Sequence, residues 1–193
     1  MTPEKFKRKL AAILSADVKG YSRLMGEDEE GTLRALKVSK EVIAGLIKSH
    51  RGRGAGFSGD SVLAEFASVV DAVQCAVEIQ HALAAKNSSV SETRRMDFRI
   101  GINLGDVIEE GDTIYGDGVN IAARLESLAD AGGIFISGIV YDQIEKKLPF
   151  AYEYLGEQSV KNIDKPVRVY RVLMKPGATI LREAAEEKTK TKQ

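Results

Sequence analysis

The sequence predicts an α+β fold in which a largely antiparallel sheet is flanked by helices. Three observations predict it. Short apolar or alternating runs bounded by glycine recur along the chain. Two long segments, 27–49 and 68–86, carry apolar residues at three- and four-residue steps. Strands and helices mix without the strict alternation that builds a parallel sheet.

Taken in order, residues 1–9 are polar and basic and read as a lead-in. Leu10–Val18 is a short apolar run, read as a buried strand that ends at Gly20. In 27–49, Leu33, Leu36, Ile43, Leu46 and Ile47 share a face, and Glu27-Asp28-Glu29-Glu30 sits where the helix dipole favours negative charge. Residues 51–59 are glycine-rich and lead into a strand at 61–66. The second helix, 68–86, presents Val69, Ala72, Val73, Ala76, Ile79 and Leu83 on one side. After a polar loop at 87–95, strands are expected at 96–103, 106–109 and 113–115. A third helix covers 119–129 and is stopped by Gly132 and Gly133. A strand at 134–137, a short helix at 138–146 and strands at 151–160 and 167–173 complete one domain, 8–173. Residues 174–193 form a charged tail or linker.

Composition narrows the function. The 193 residues hold 28 Lys plus Arg and 28 Asp plus Glu, so the formal charge is zero. That argues against a nucleic-acid coat or a membrane-surface binder, both of which need excess positive charge. One cysteine and two histidines exclude an intramolecular disulfide and disfavour Cys- or His-based metal sites. No apolar run approaches the ~20 residues of a membrane span, and the expected compartment is the cytoplasm. Cys75 lies on an apolar helix face and reads as core; His50 and His81 receive no role.

Some residues do not fit a purely structural role. Asp17 ends an apolar run, and Asp60 stands between Gly59 and an apolar strand. Each alone is equally a turn residue bonding main-chain amides. Together, in a chain poor in His and Cys, two carboxylates at strand ends suit a hard cation with oxygen ligands. Asn120 and Arg124 are spaced i,i+4, which places both on one helix face. They are either a solvated surface pair or donors to phosphate and sugar oxygens. Lys161 is either solvated or a phosphate contact. Gly54, Gly56 and Gly59 form a GxGxxG, but no strand precedes it and no helix follows, so it is no dinucleotide fingerprint.

These pieces together resemble the class III adenylate/guanylate cyclase catalytic domain, in its bacterial form, over roughly residues 8–173. The resemblance rests on Leu14-Ser-Ala-Asp17-Val-Lys-Gly-Tyr-Ser22, Phe57-Ser-Gly-Asp60 and Phe98-Arg-Ile-Gly-Ile-Asn-Leu-Gly-Asp106-Val. It continues in Tyr115-Gly-Asp-Gly-Val-Asn120-Ile-Ala-Ala-Arg124-Leu-Glu and Lys161-Asn-Ile-Asp-Lys-Pro-Val-Arg-Val-Tyr170. It implies a ferredoxin-like core working as a head-to-tail homodimer with active sites at the interface. It implies that Asp17 and Asp60, with the Val18 carbonyl, hold two Mg²⁺ or Mn²⁺ ions per site. Amides around Lys19, Gly20, Tyr21 and Ser22 would cradle the triphosphate of ATP, and Lys161 would contact phosphate. Asn120 and Arg124 of the partner chain would orient the ribose and stabilise the transition state. The implied reaction is attack of the ribose 3′-hydroxyl on the α-phosphorus, giving 3′,5′-cyclic AMP and pyrophosphate.

One position departs from the pattern. Members that use ATP usually carry a Lys three residues before the Gly-Asp, and here that residue is Gly56. The second base-reading position aligns with Thr113, whose hydroxyl both donates and accepts. Two alternatives therefore stand beside the adenylate cyclase: a weakly active or inactive nucleotide-binding homologue, and a guanylate cyclase. The charged tail is also a candidate connection to a regulatory segment.

Overall fold

β1 (Lys7–Val18) is the spine of the molecule, which is seen here in a computed structural model describing residues 6–174. Successive side chains of a strand point to opposite faces. Ala12, Leu14, Ala16 and Val18 accordingly enter the main core, while Ala11 and Ile13 enter a smaller cluster on the other face. The strand begins three residues earlier than its apolar run. Lys7, Arg8 and Lys9 lie opposite Glu109, Ile108 and Val107, and they pair their charges with Glu109 and Asp106. Cross-strand ion pairs thus extend a ladder that apolar content alone does not mark.

A turn at Lys19-Gly20 leads to α1 (Tyr21–Glu27), a short helix absent from the sequence-based expectation, and then to α2 (Glu29–Ser49). Asp28 ends one and caps the other, accepting the Gly31 N–H at 3.0 Å. The glycine-rich segment is β2 (Arg53–Ser58), which forms a hairpin with β3 (Ser61–Phe66) through a turn at Gly59-Asp60. α3 (Val69–Asn87) is capped by Ser68, and its apolar face carries Cys75 into the core.

The two strands expected at 96–103 and 106–109 are one, β4 (Phe98–Glu110), followed by β5 (Thr113–Tyr115). Gly105, in the expected gap, and Gly101, inside the first expected strand, are instead where α4 (Asp117–Leu128) presses on the strand. A Cβ on Gly101 would strike the Ala122 carbonyl and the Glu126 amide, and one on Gly105 would lie 3.2 Å from Gly118 Cα. β6 (Ile134–Ser137), α5 (Gly138–Ile144), β7 (Ala151–Gln158) and β8 (Val167–Leu173) complete the order.

The strands run β2-β3-β1-β4-β6-β8-β7, with β5 paired to β4. Every pairing is antiparallel except β4 with β6, which α4 joins as a crossover. α2, α3 and α5 cover one face, and α4 crosses the other. The expected charged tail, residues 174–193, lies outside the described residues except for Met174, which packs on the main core.

Candidate active site

Asp17 is on the α4 face of β1, directly opposite Arg99 of β4. The register dictates the contact: Arg99 Nε donates to Asp17 Oδ1 at 2.9 Å and Nη2 to Oδ2 at 2.6 Å. Arg99 Nη1 donates to the Ser127 carbonyl at 3.1 Å, at the end of α4. This planar two-on-two geometry is the strong form of a charge-assisted bond. Asp60 comes to the same end of the sheet because the β2–β3 turn carries it there, and its Oδ2 accepts the Val18 N–H at 3.2 Å. Glu126, on the buried face of α4, has Oε2 3.9 Å from Arg99 Nη2. Burial first, and the neighbouring Asp17 charge second, push its carboxyl up to about 7. Arg99 thus stands between the Asp17 carboxylate and the Glu126 carboxyl, with Asp60 at the same end of the sheet.

The segment after Asp17 only partly fits its expected role as a row of amides. Gly20 takes a left-handed conformation (φ 70°) that turns the chain into α1. The main-chain N–H of Lys19 donates to the Asp97 carbonyl at 2.8 Å. Tyr21 and Ser22 open α1, so their N–H groups have no intrahelical acceptor.

Asn120, Arg124 and Lys161 are brought together. They line one open cavity of about 660 Å³ with Ser159 and Asn162. α4 supplies the first two from its outer face, one turn apart, and the turn closed by the Ile163 N–H on the Val160 carbonyl supplies Lys161. All three are exposed, and their side chains have no hydrogen-bond or ion-pair partner among the described residues. On a helix advancing about 100° per residue, Asn120 and Arg124 point away from Ala122 and Glu126. The cavity therefore opens on the opposite side of α4 from the chain's own Asp17.

Gly56 is exposed on β2, where a Cβ would meet only Leu63 Cβ at 3.8 Å. Thr113 begins β5, half-buried. Arg53 ties the two strands by donating to the Asp112 carbonyl at 3.2 Å. Arg99 and Glu126 were not among the residues expected from the sequence. The acid among Ala122, Leu125 and Glu126 on one helix face is a signal that could have found the second.

No three His, Cys, Asp or Glu side chains form a closed metal cage among the described residues. The available donors are carboxylate oxygens, which suit a hard cation that keeps part of its shell for substrate oxygens. No helix among the described residues is long and apolar enough to cross a membrane.

Comparison with known proteins bears on the family and the fold. The "Adenylate and Guanylate cyclase catalytic domain" family profile matches residues 5–174. A Rhizobium meliloti protein named "Putative adenylate cyclase 3" is 44% identical over 171 residues, which is 88% of this chain and 29% of that protein. The chain thus spans under a third of that relative's length. The adenylate/guanylate cyclase/hydrolase structure from Silicibacter pomeroyi superposes with a TM-score of 0.83 at 39% identity, covering 88% of this chain and 99% of that one. The adenylyl cyclase CyaB from P. aeruginosa shares the fold, with a TM-score of 0.77 at 24% identity over 88% of this chain and 96% of its own. The chain belongs to the class III adenylate and guanylate cyclase catalytic domain family.

Proposed function

We propose that the chain is an adenylate cyclase that converts ATP into 3′,5′-cyclic AMP and pyrophosphate in a homodimer. The observation that supports this reading is the separation of the acidic side chains from the free donors. Asp17 pairs with Arg99 on the α4 side of the sheet and Asp60 accepts the next residue's amide, that of Val18, whereas the side chains of Asn120, Arg124 and Lys161 have no partner among the described residues and line a cavity on the outer side of α4. A second copy, placed head to tail, supplies to each carboxylate pair the donors that its own chain turns away.

In this reading Asp17, Asp60 and the Val18 carbonyl hold two Mg²⁺ or Mn²⁺ ions. When bound, the ions lower the pKa of the attacking hydroxyl and neutralise charge on the leaving pyrophosphate. The amides of Gly20, Tyr21 and Ser22 face the triphosphate. Asn120 orients the ribose so that its 3′-oxygen lies in line with the α-phosphorus. Arg124 meets the charge that builds on the phosphoryl oxygens as the new O–P bond forms and the bond to pyrophosphate breaks. Lys161 holds a phosphate by point charge. A single buried thiol suits a reducing compartment, and we place the reaction in the cytoplasm. Gly56 favours a second reading, in which base selection is weak and GTP is also turned over.

The test is complementation. Asp17→Asn and Arg124→Ala proteins are each assayed with ATP and Mn²⁺, alone and mixed in equal amounts. Each alone is expected to be inactive, and the mixture to recover about a quarter of wild-type turnover, because half the dimers are mixed and each has one intact site. No recovery, with both variants folded and dimeric, overturns the shared site. No cyclic nucleotide from wild-type protein with ATP or GTP overturns the activity.

A further inference from the structure

Asp17 is not free to receive a cation. Both of its oxygens already accept from Arg99, at 2.9 and 2.6 Å, and the side chains of the two residues are only 20% and 17% exposed. A cation at these oxygens meets a fixed positive group at the same atoms. A guanidinium is always charged, so it has to find another anionic partner if it leaves. Glu126 is the acid within reach: its carboxyl group is buried, with a side chain 11% exposed, and stands 3.9 Å from Arg99 Nη2, just beyond hydrogen-bond length. The Ser127 carbonyl, 3.1 Å from Nη1, anchors the far side of the guanidinium throughout such a shift.

We propose that Arg99 is a built-in counter-ion that a divalent cation displaces from Asp17, and that Glu126 is the carboxylate onto which it moves. The inference rests on the reading of Asp17 as a cation ligand given above. Arg99 and Glu126 act through Asp17, as positioning residues. Arg99 balances the charge of Asp17 in the empty site and weakens cation binding. Glu126 strengthens it by stabilising the displaced guanidinium. The two substitutions therefore act with opposite sign, and the effect of the second depends on the presence of the first.

Mn²⁺ binding to the nucleotide-free, full-length protein, followed by the electron paramagnetic resonance signal of free Mn²⁺, tests this without turnover. Arg99→Gln is expected to tighten Mn²⁺ binding by about tenfold, and Glu126→Gln to weaken it by about threefold, a coupling of ordinary size for residues in contact. In the Arg99→Gln background, Glu126→Gln is expected to have less than half of that effect. Unchanged or weaker binding in Arg99→Gln overturns the proposal. So does an equal loss from Glu126→Gln in both backgrounds, which would make Glu126 a direct contributor to the cation's field. If Arg99→Gln does not fold, Arg99→Lys, which keeps the charge but loses the fork, is expected to tighten binding to a smaller extent, and an unchanged affinity is again fatal. Asp17→Asn separates the levels. If it leaves Mn²⁺ affinity intact, Asp17 is no ligand and the proposal falls with that assignment. If it abolishes binding while Arg99→Gln and Glu126→Gln match wild type, the displacement alone is wrong.

Discussion

Asp60 Oδ2 accepts the main-chain N–H of Val18 at 3.2 Å, and this one bond ties the tip of the β2–β3 hairpin to the end of β1. It gives Asp60 a structural role separable from any cation. Val18 is 2% exposed, so without Asp60 its amide loses both its partner and access to water. Asp60→Ala should therefore destabilise the fold by about 1–3 kcal/mol. Asp60→Asn keeps an acceptor oxygen and should cost less than about 0.5 kcal/mol by the same reasoning. Both should abolish cyclic nucleotide formation. Urea denaturation and a turnover assay on the two variants check the split; equal stability losses would remove the hairpin tie.

The position of α4 is set by the absence of side chains beneath it. A Cβ at Gly101 would overlap the Ala122 carbonyl and the Glu126 amide, and neither backbone group can retreat without lifting α4 from the sheet. Gly101→Ala should cost roughly 2–4 kcal/mol. It should also lower turnover, because Arg124 rides on the displaced helix. Gly45, exposed in the interior of α2, is the control, because an added methyl there would meet nothing within 4 Å. Gly45→Ala should raise stability by about 0.5–1 kcal/mol through helix propensity alone. Thermal denaturation of the pair decides whether close approach or glycine's general cost governs Gly101.

Which of these features could be read from the chain follows from how local their causes are. Asp17 and Asp60 stand out in sequence because each borders an apolar run, and the i,i+4 spacing marks Asn120 and Arg124. Their neighbourhoods in space depend on less visible things. Arg99 meets Asp17 across 82 residues of sequence, and only the β1–β4 register brings them together. A register is a property of two strands and is not carried by either alone. Gly105 resembles a strand break because a glycine's usual effect is local, whereas here the cause is a helix packed from above. The start of β1 is hidden for the opposite reason: Lys7 and Lys9 look solvated until Glu109 is placed beside them.

Cys75 offers a probe of folding rather than of catalysis. It is fully buried on α3, and burial pushes its thiol up to about 12. Only the thiolate is a nucleophile. Between pH 7 and pH 9 an ordinary exposed thiol gains roughly twentyfold in alkylation rate as it ionises. Cys75 stays protonated across that window, so iodoacetamide should leave the native chain unmodified at both pH values and label it fully in urea. Native-state labelling that climbs with pH would mean that α3 opens readily from the core.

The base-reading corner gives the last prediction. Gly56 is exposed, and a side chain there has room, since only Leu63 Cβ lies within 4 Å, at 3.8 Å. Gly56→Lys should therefore fold as stably as wild type. The new ammonium only donates, so it favours the acceptor N1 of adenine over the N1–H of guanine. A charged hydrogen bond contributes about 1.5–3 kcal/mol, and part of that is lost in ordering a flexible side chain. The net expectation is a shift of about tenfold in the ratio of kcat/KM for ATP over GTP, carried mostly by KM. Thr113, across the Arg53–Asp112 tie, stays indifferent because its hydroxyl serves either base. Competing ATP and GTP in one reaction measures the ratio directly. If Gly56→Lys leaves it unchanged while the protein folds and turns over, the purine ring does not lie against β2, and the base must be read elsewhere in the interface.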